Sequence, residues 1–194
     1  MEKIDYMLIK ADYSDFVWSY SAKELEDILS EMFCGKKLKK IFANYSGFTE
    51  GNKIDGTLYN FTYLGGSVIM LFEGGNALEL DIYGEGMVRY RTHRLSDMSF
   101  TPRKDFPYYI QRDECYCDMK DVFDIDYENR IVEKTSVDAI NYYIFYAGNG
   151  FDSAKADAAA SLGILPNIID FHLSGESTLS LIGDNLKNYY MKLE

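Results

Sequence analysis

The side chains with the greatest capacity for chemistry are two histidines and three cysteines: His93, His172, Cys34, Cys115 and Cys117. Nucleophilic hydrolysis needs a nucleophile, a base and a third group that orients the base. Cys115 and His93 would supply the first two, but no local signature accompanies either residue. The sequence therefore predicts no catalytic set. His172 is predicted to point outward from a strand, opposite Thr178.

The cysteine spacing also argues against a metal site. One residue separates Cys115 from Cys117, whereas zinc sites typically place two to four residues between paired thiols. We interpret this pair as free thiols near a turn, and Cys34 as a small apolar residue at a helix end. No cofactor is predicted, because Gly148–Gly150 lacks the rest of a nucleotide or phosphate fingerprint.

An acidic run surrounds these thiols, and its carboxylates are Asp113, Glu114, Asp118, Asp121, Asp124 and Asp126. Carboxylates suit calcium, but the stretch from Asp124 to Glu128 lacks the glycine and the closing glutamate of an EF-hand loop. Acids that alternate with Phe123, Ile125 and Tyr127 are typical of the solvent-exposed face of a strand. We therefore interpret the acidic run as a face that is solvated or binds a basic partner. Calcium binding is the alternative interpretation.

The acidic run overlaps residues 93–119, where hydrophobic periodicity fails. Pro102 and Pro107 lie in this segment, and proline disfavours regular strand pairing. A long irregular connection in a compact domain is often functional. We predict that it contacts a partner or covers a ligand pocket. The predicted partner-binding residues are Phe106, Tyr108, Tyr109, Asp118, Asp121, Asp124 and Asp126.

The elements that position these residues are organised around a β-meander from Thr57 to Thr92. Its middle strand, Ser67–Glu73, is apolar on both faces, and Gly74-Gly75 suits a tight turn. The next strand alternates, so that parity decides its pairing. A three-residue loop, Gly84–Gly86, places the apolar groups on one side. The same register sets Asp81 opposite Arg89 and Glu79 opposite Arg91. We interpret these opposed charges as a solvated cross-strand ladder of ion pairs; the alternative is that the two arginines bind a substrate.

Helix signals occur twice. Ser21 and Glu24 form a capping box that precedes an apolar stripe, and Gly35 ends it. Asp152 caps a shorter, alanine-rich helix that Gly163 ends. Later alternation pairs Phe171 with Leu179 and Ile169 with Leu181 across a turn. Further strands are predicted at 38–45, 140–146 and 186–193.

These elements predict an α+β fold that is mostly antiparallel, in the manner of a meander or sandwich. The chain is long enough for a single domain over residues 1–194. Similar strand–turn–strand patterns near Leu71 and Phe171 raise a second hypothesis, an internal duplication with halves at about residues 1–100 and 101–194.

The net charge of −11 limits the partners. Nucleic acids and anionic membranes are bound through lysine and arginine, so neither is predicted as a partner. A basic protein is the electrostatically favoured partner. We expect a cytoplasmic protein, because no signal peptide or membrane-spanning run is found and an odd number of cysteines suits a reducing compartment.

Three functions remain open. The first is a non-catalytic, acidic, cytoplasmic protein-binding module, comparable to the bacterial immunity proteins that neutralise toxins. The second is an enzyme or small-ligand-binding domain with a pocket under residues 93–119. The third is a structural or oligomerising subunit that uses the aromatic stretch Ile140–Tyr146 as its interface.

Overall fold

The computed structural model describes residues 16–44, 53–54, 57–58, 61–64, 67–94, 101–102, 108–111, 114–121, 126–144, 150–183 and 189–194. In chain order the strands are β1 Val17–Ser19, β2 Leu38–Asn44, β3 Lys53–Ile54, β4 Thr57–Leu58, β5 Phe61–Leu64, β6 Val68–Phe72, β7 Asn76–Gly84, β8 Met87–Arg94, β9 Thr101–Pro102, β10 Tyr108–Gln111, β11 Glu114–Asp118, β12 Val132–Ile140, β13 Leu165–Leu173, β14 Ser177–Gly183 and β15 Tyr189–Leu193. The helices are α1 Ala22–Phe33 and α2 Ser153–Leu162. The α+β, mostly antiparallel fold is confirmed.

Both helices begin and end where the sequence predicts. The Ser21 hydroxyl accepts a hydrogen bond from the Glu24 N–H at 3.2 Å, and the chain leaves α1 at Gly35 with φ +81°. The Asp152 carboxylate accepts from the Lys155 N–H at 3.1 Å. Gly163 closes α2 in the left-handed conformation that glycine adopts without strain. Capping of the first turn and a glycine after the last turn therefore suffice to place both helices.

The first sheet has the order β1-β8-β7-β6-β2-β11-β10-β9 among the described strands, all antiparallel. The predicted register of its central hairpin is confirmed, with Asp81 opposite Arg89 and Glu79 opposite Arg91. The loop differs in detail, because a bulge lies between Ile82 and Gly84, and Gly84 pairs with Met87. One extra residue in the bulge preserves the parity that the three-residue loop was expected to supply.

The second sheet has the order β12-β13-β14-β15-β5 within the described ranges. Phe171 pairs with Leu179 and Ile169 with Leu181, as the alternation predicts. The prediction that Thr57–Tyr63 opens the first meander is wrong, because β5 pairs with β15 in this second sheet. The sequence pattern predicted that β5 pairs with its neighbour β6, but the strand that β5 actually pairs with lies far along the chain.

Two further predictions about secondary structure are wrong. The segment from residue 93 to 119 is not irregular throughout, since β9, β10 and β11 form there and β9 contains Pro102. Strand β9 is the last of the described strands in its sheet, and at a sheet edge a missing N–H donor is tolerated. The sequence also predicts a strand at 140–146, but β12 ends at Ile140 and residues 141–144 lie outside any strand.

The core lies where α1 meets both sheets. Leu25, Leu29 and Phe33 of α1 are fully buried, and the Phe33 ring stacks on Phe72 at 4.3 Å between centroids. The same apolar cluster includes residues of β2, β6 and β7 and of β13, β14 and β15. Burial of this area is the main stabilising contribution to the fold.

Helix α1 also runs along β12, which is the outermost described strand of the second sheet. The Ser30 and Thr135 hydroxyls are 2.6 Å apart, and the Val137 N–H donates to Glu26 Oε2 at 3.1 Å. A backbone N–H that would otherwise be open to strand addition is thereby satisfied by a helix side chain. Helix and edge strand consequently form one continuous surface.

Candidate functional site

The structure places some of the predicted partner-binding residues and not others. Tyr108 and Tyr109 lie on β10, and Asp118 ends β11. Asp121 belongs to a short 3-10 turn, and Asp126 is exposed. Phe106 and Asp124 lie outside the described residues. Asp126 lies outside any strand, just before the turn at Glu128 and Asn129, and its Oδ1 accepts from the Glu128 N–H at 3.0 Å.

The four charged residues of the central hairpin form a buried ladder, not a solvated one. Side-chain exposure is only 1% for Glu79 and 2% for Arg91, and 11% for Asp81 and 8% for Arg89. The Arg91 Nε donates to Glu79 Oε2 at 2.6 Å. The Arg89 Nε and Nη2 donate to Asp81 Oδ2 at 2.9 and 2.7 Å. The prediction of a solvent-exposed ladder was therefore wrong.

Aromatic residues that precede α1 help to bury the ladder. The Phe16 ring lies 4.5 Å from the Arg89 guanidinium and 4.3 Å from that of Arg91. Trp18 lies 5.5 Å from Arg89, and the Ser67 hydroxyl donates to Glu79 Oε1 at 2.8 Å. Arginine stacks favourably on aromatic faces when it is desolvated. The ladder is thus an internal, charge-balanced element that holds β7, β8 and the β1 segment together.

A second polar group lies on the outer face of the second sheet. His172 accepts or donates on both ring nitrogens: Nε2 is 3.0 Å from the Ser136 hydroxyl and Nδ1 is 3.3 Å from that of Thr178. The predicted pairing of His172 with Thr178 is confirmed. A serine beside a histidine base is half of a nucleophilic site, but here a hydroxyl occupies the position that an orienting carboxylate takes in a triad.

An acidic surface lies at the joint between α1 and β12. Its exposed carboxylates, which we call the α1–β12 face, are Glu24, Asp27 and Glu31 of the helix and Glu133 of the strand. Lys23 pairs with Glu26 and Asp27 at 3.3 and 2.8 Å. Sequence reasoning used α1 for its capping box and its apolar stripe, and it overlooked that the acids at i, i+3 and i+7 share its other side. The helical spacing alone would have revealed them.

A mixed ionic cluster ties β2 to the turn before β12. Glu128 Oε1 lies 2.7 Å from the Lys40 Nζ, and its Oε2 lies 2.6 Å from the Lys120 Nζ. Burial alone would raise the pKa of Glu128, but the hydrogen bonds from Lys120 and Lys40 outweigh it and lower that pKa. The ionised form of Glu128 therefore stabilises the folded state.

This shift predicts a pH dependence of stability. A lowered folded-state pKa contributes stability that is complete above the ordinary value of 4.5 and is lost as the pH falls through the folded-state pKa. We expect Glu128→Gln to have a lower free energy of unfolding than the parent protein at pH 7. The difference should shrink as the pH falls below 4.5 and Glu128 of the parent becomes protonated. Urea denaturation between pH 3 and 7 measures it. A difference that stays constant over this range would contradict the ionic account.

The described ranges hold neither a helix that is long and apolar enough to span a membrane nor a group of three or more metal-ligating side chains. Comparisons with protein-family models, with curated protein sequences and with solved structures find no match for this chain. Function is therefore inferred from the described contacts alone.

Proposed function

We propose that this chain is a non-catalytic protein-binding module whose partner is a basic protein, comparable to the immunity proteins with which bacteria neutralise toxins. The observation that carries the proposal is the α1–β12 face. Helix α1 bears four carboxylates and one lysine, and β12 bears two carboxylates and one lysine. The two elements together therefore carry a net charge of −4, from six carboxylates and two lysines, out of −11 for the whole chain.

The rigidity of the face favours its use in binding. The Ser30–Thr135 contact at 2.6 Å and the Glu26–Val137 contact at 3.1 Å fix the helix against the strand. Preorganised carboxylates lose less conformational freedom when a partner arrives, so more of the interaction energy is available for affinity. A concentrated acidic surface also accelerates association with a cationic partner, in a manner that salt weakens.

The buried charges of the ladder support a non-catalytic role. Glu79 and Asp81 are neutralised by Arg91 and Arg89 in the buried ladder. The free thiol of Cys34 supports a reducing, cytoplasmic setting. These features fit a rigid scaffold that presents an acidic surface.

Charge reversal on the face is the decisive experiment. We expect Asp27→Lys, Glu31→Lys and Glu133→Lys, combined in one variant, to weaken capture of a basic partner from native-cell extract at least about tenfold, since each desolvated or closely facing charge contributes on the order of 1 kcal/mol. The matched control combines Glu73→Lys, Glu176→Lys and Glu194→Lys, which change the net charge equally at other positions. Circular dichroism establishes that both variants fold.

Two outcomes would contradict the proposal. One is capture that survives the face variant as well as it survives the control variant. The other is recovery of no basic protein by the parent chain at low ionic strength, where electrostatic association is strongest.

A further inference from the structure

Helix α2 contributes little to the hydrophobic core. Its buried side chains are two alanines, Ala156 and Ala159, and none of its residues belongs to the apolar cluster that joins α1 to both sheets. Its largest apolar side chain, Leu162, is 72% exposed. A helix of this length is marginal in water on its own. Contacts other than apolar burial therefore keep α2 folded against the rest of the protein.

Aromatic residues fasten the N-terminal end of α2. The Tyr20 hydroxyl accepts a hydrogen bond from the Asp152 N–H at 2.6 Å, and the Tyr143 hydroxyl donates to Asp157 Oδ1 at 2.8 Å. The ring of Phe151, just before the helix, has three aromatic neighbours at 5.0–5.7 Å between centroids, and they are Trp18, Tyr20 and Tyr143. All four rings are half-buried. Regions held by few buried apolar contacts are the ones that open first in native proteins.

The other end of α2 is fixed to the fold. The Ala22 N–H donates to the Ile164 carbonyl at 2.7 Å, and Leu165, the first residue of β13, is fully buried. Gly163 lies between this anchor and the helix, with φ +66°, and a Cβ added there would meet nothing closer than 3.8 Å. Glycine tolerates the dihedral changes that a hinge requires. The helix is thus anchored at one end and fastened by tyrosine hydroxyls at the other.

We propose that α2, together with residues 151–152, is a lid that opens about Gly163 while both sheets stay folded. Opening breaks the hydrogen bonds to Tyr20 and Tyr143 and lifts the ring that precedes α2 away from Trp18. Because Trp18 lies 5.5 Å from the Arg89 guanidinium, the open form presents aromatic rings beside the buried ladder to solvent. The lid shares no residue with the α1–β12 face, so it does not depend on the proposed function.

Hydrogen exchange of the ¹⁵N-labelled full chain, followed by NMR, tests the lid. We expect the α2 amides to share one opening free energy that is lower than that of the β13 amides. In the variant that combines Tyr20→Phe and Tyr143→Phe, α2 exchange should accelerate at least about tenfold and β13 exchange less than about twofold, because two hydrogen bonds are lost from the closed lid alone. Acrylamide quenching of Trp18, the single tryptophan, should increase in the same variant. The matched control, Tyr90→Phe, removes a hydroxyl from β8 and should leave α2 exchange unchanged.

Three outcomes would overturn the inference. If the α2 and β13 amides of the parent protein exchange with the same opening free energy, α2 opens only when the whole protein unfolds. If the double variant accelerates both sets equally, or fails to fold by circular dichroism, the two hydroxyls stabilise the entire fold and not a lid. If the α2 amides of the parent exchange as fast as those of an unstructured peptide, the helix is not closed in solution.

Discussion

Replacing Arg91 with methionine is expected to lower the free energy of unfolding by about 3–5 kcal/mol, the loss typical of a buried ion pair that is deprived of one partner. The side chain of Arg91 is 2% exposed and that of Glu79 is 1% exposed. Without the guanidinium, the Glu79 carboxylate loses the hydrogen bond from Arg91 Nε at 2.6 Å and with it the charge that balances its own, while the Ser67 hydroxyl at 2.8 Å remains. Urea denaturation at pH 7 measures the loss.

The double variant Glu79→Met, Arg91→Met supplies the control. It removes both charges, so we expect it to recover at least half of the loss, since well-packed apolar residues often replace a buried pair without penalty. The single variants Arg91→Met and Glu79→Met, together with the double variant, form a cycle that isolates the coupling between the two side chains. An exposed lysine, Lys23, offers the comparison on the surface: Lys23→Met should leave stability close to that of the parent. A loss below about 1 kcal/mol for Arg91→Met would show that solvent reaches Glu79.

The ladder shows what strand alternation can and cannot predict. Period two fixes which side chains share a face, and matching the apolar faces fixed the pairing of Asp81 with Arg89. The pattern carries no information on whether the other face is covered. Here the described cover comes from Phe16 and Trp18, which lie more than sixty positions earlier in the chain. Polar residues on one face were therefore mistaken for solvated residues.

The same distinction explains which of the other elements were predicted correctly from the sequence. Caps and hairpins depend on residues close in sequence, so α1, α2 and the β13–β14 register were predictable. Sheet membership depends on distant partners, so β5 was assigned to the wrong sheet. After Ile140 the chain bonds to the tip of the β7–β8 hairpin, with the Ile144 N–H donating to the Glu85 carbonyl at 3.2 Å. An aromatic sequence alone does not distinguish that contact from a strand.

The polar groups on the surface differ in the same way. The acids of α1, Glu24, Asp27 and Glu31, follow from helical spacing and were available to sequence reasoning. The contact between Ser136 and His172 needs the register of β12 against β13, and that register includes a bulge between Asp138 and Ala139. The sequence predicted the hairpin that contains His172 and Thr178 but provided no means of placing Ser136 beside it.

Gly86→Ala is expected to lower the free energy of unfolding by about 2–4 kcal/mol, because backbone strain and steric overlap add. Gly86 has φ +72°. A Cβ there would lie 2.6 Å from the Tyr142 carbonyl oxygen, 3.0 Å from the Tyr143 Cβ and 3.2 Å from a Leu165 methyl. The nearest of these atoms is backbone, so the whole 142–144 segment must shift away from the hairpin tip.

Gly74→Ala isolates the backbone contribution. Gly74 has φ +81° but nothing within 4 Å of the added Cβ, so only the left-handed conformation opposes alanine, at about 1–2 kcal/mol. The excess loss in Gly86→Ala then measures the contact between the hairpin tip and the segment after β12.

In Gly86→Ala the Tyr142 hydroxyl should also separate from Glu85, and the pKa of Tyr142, which that hydrogen bond raises, should fall toward its ordinary value. Equal losses in the two variants would mean that the 142–144 segment does not pack on the hairpin tip.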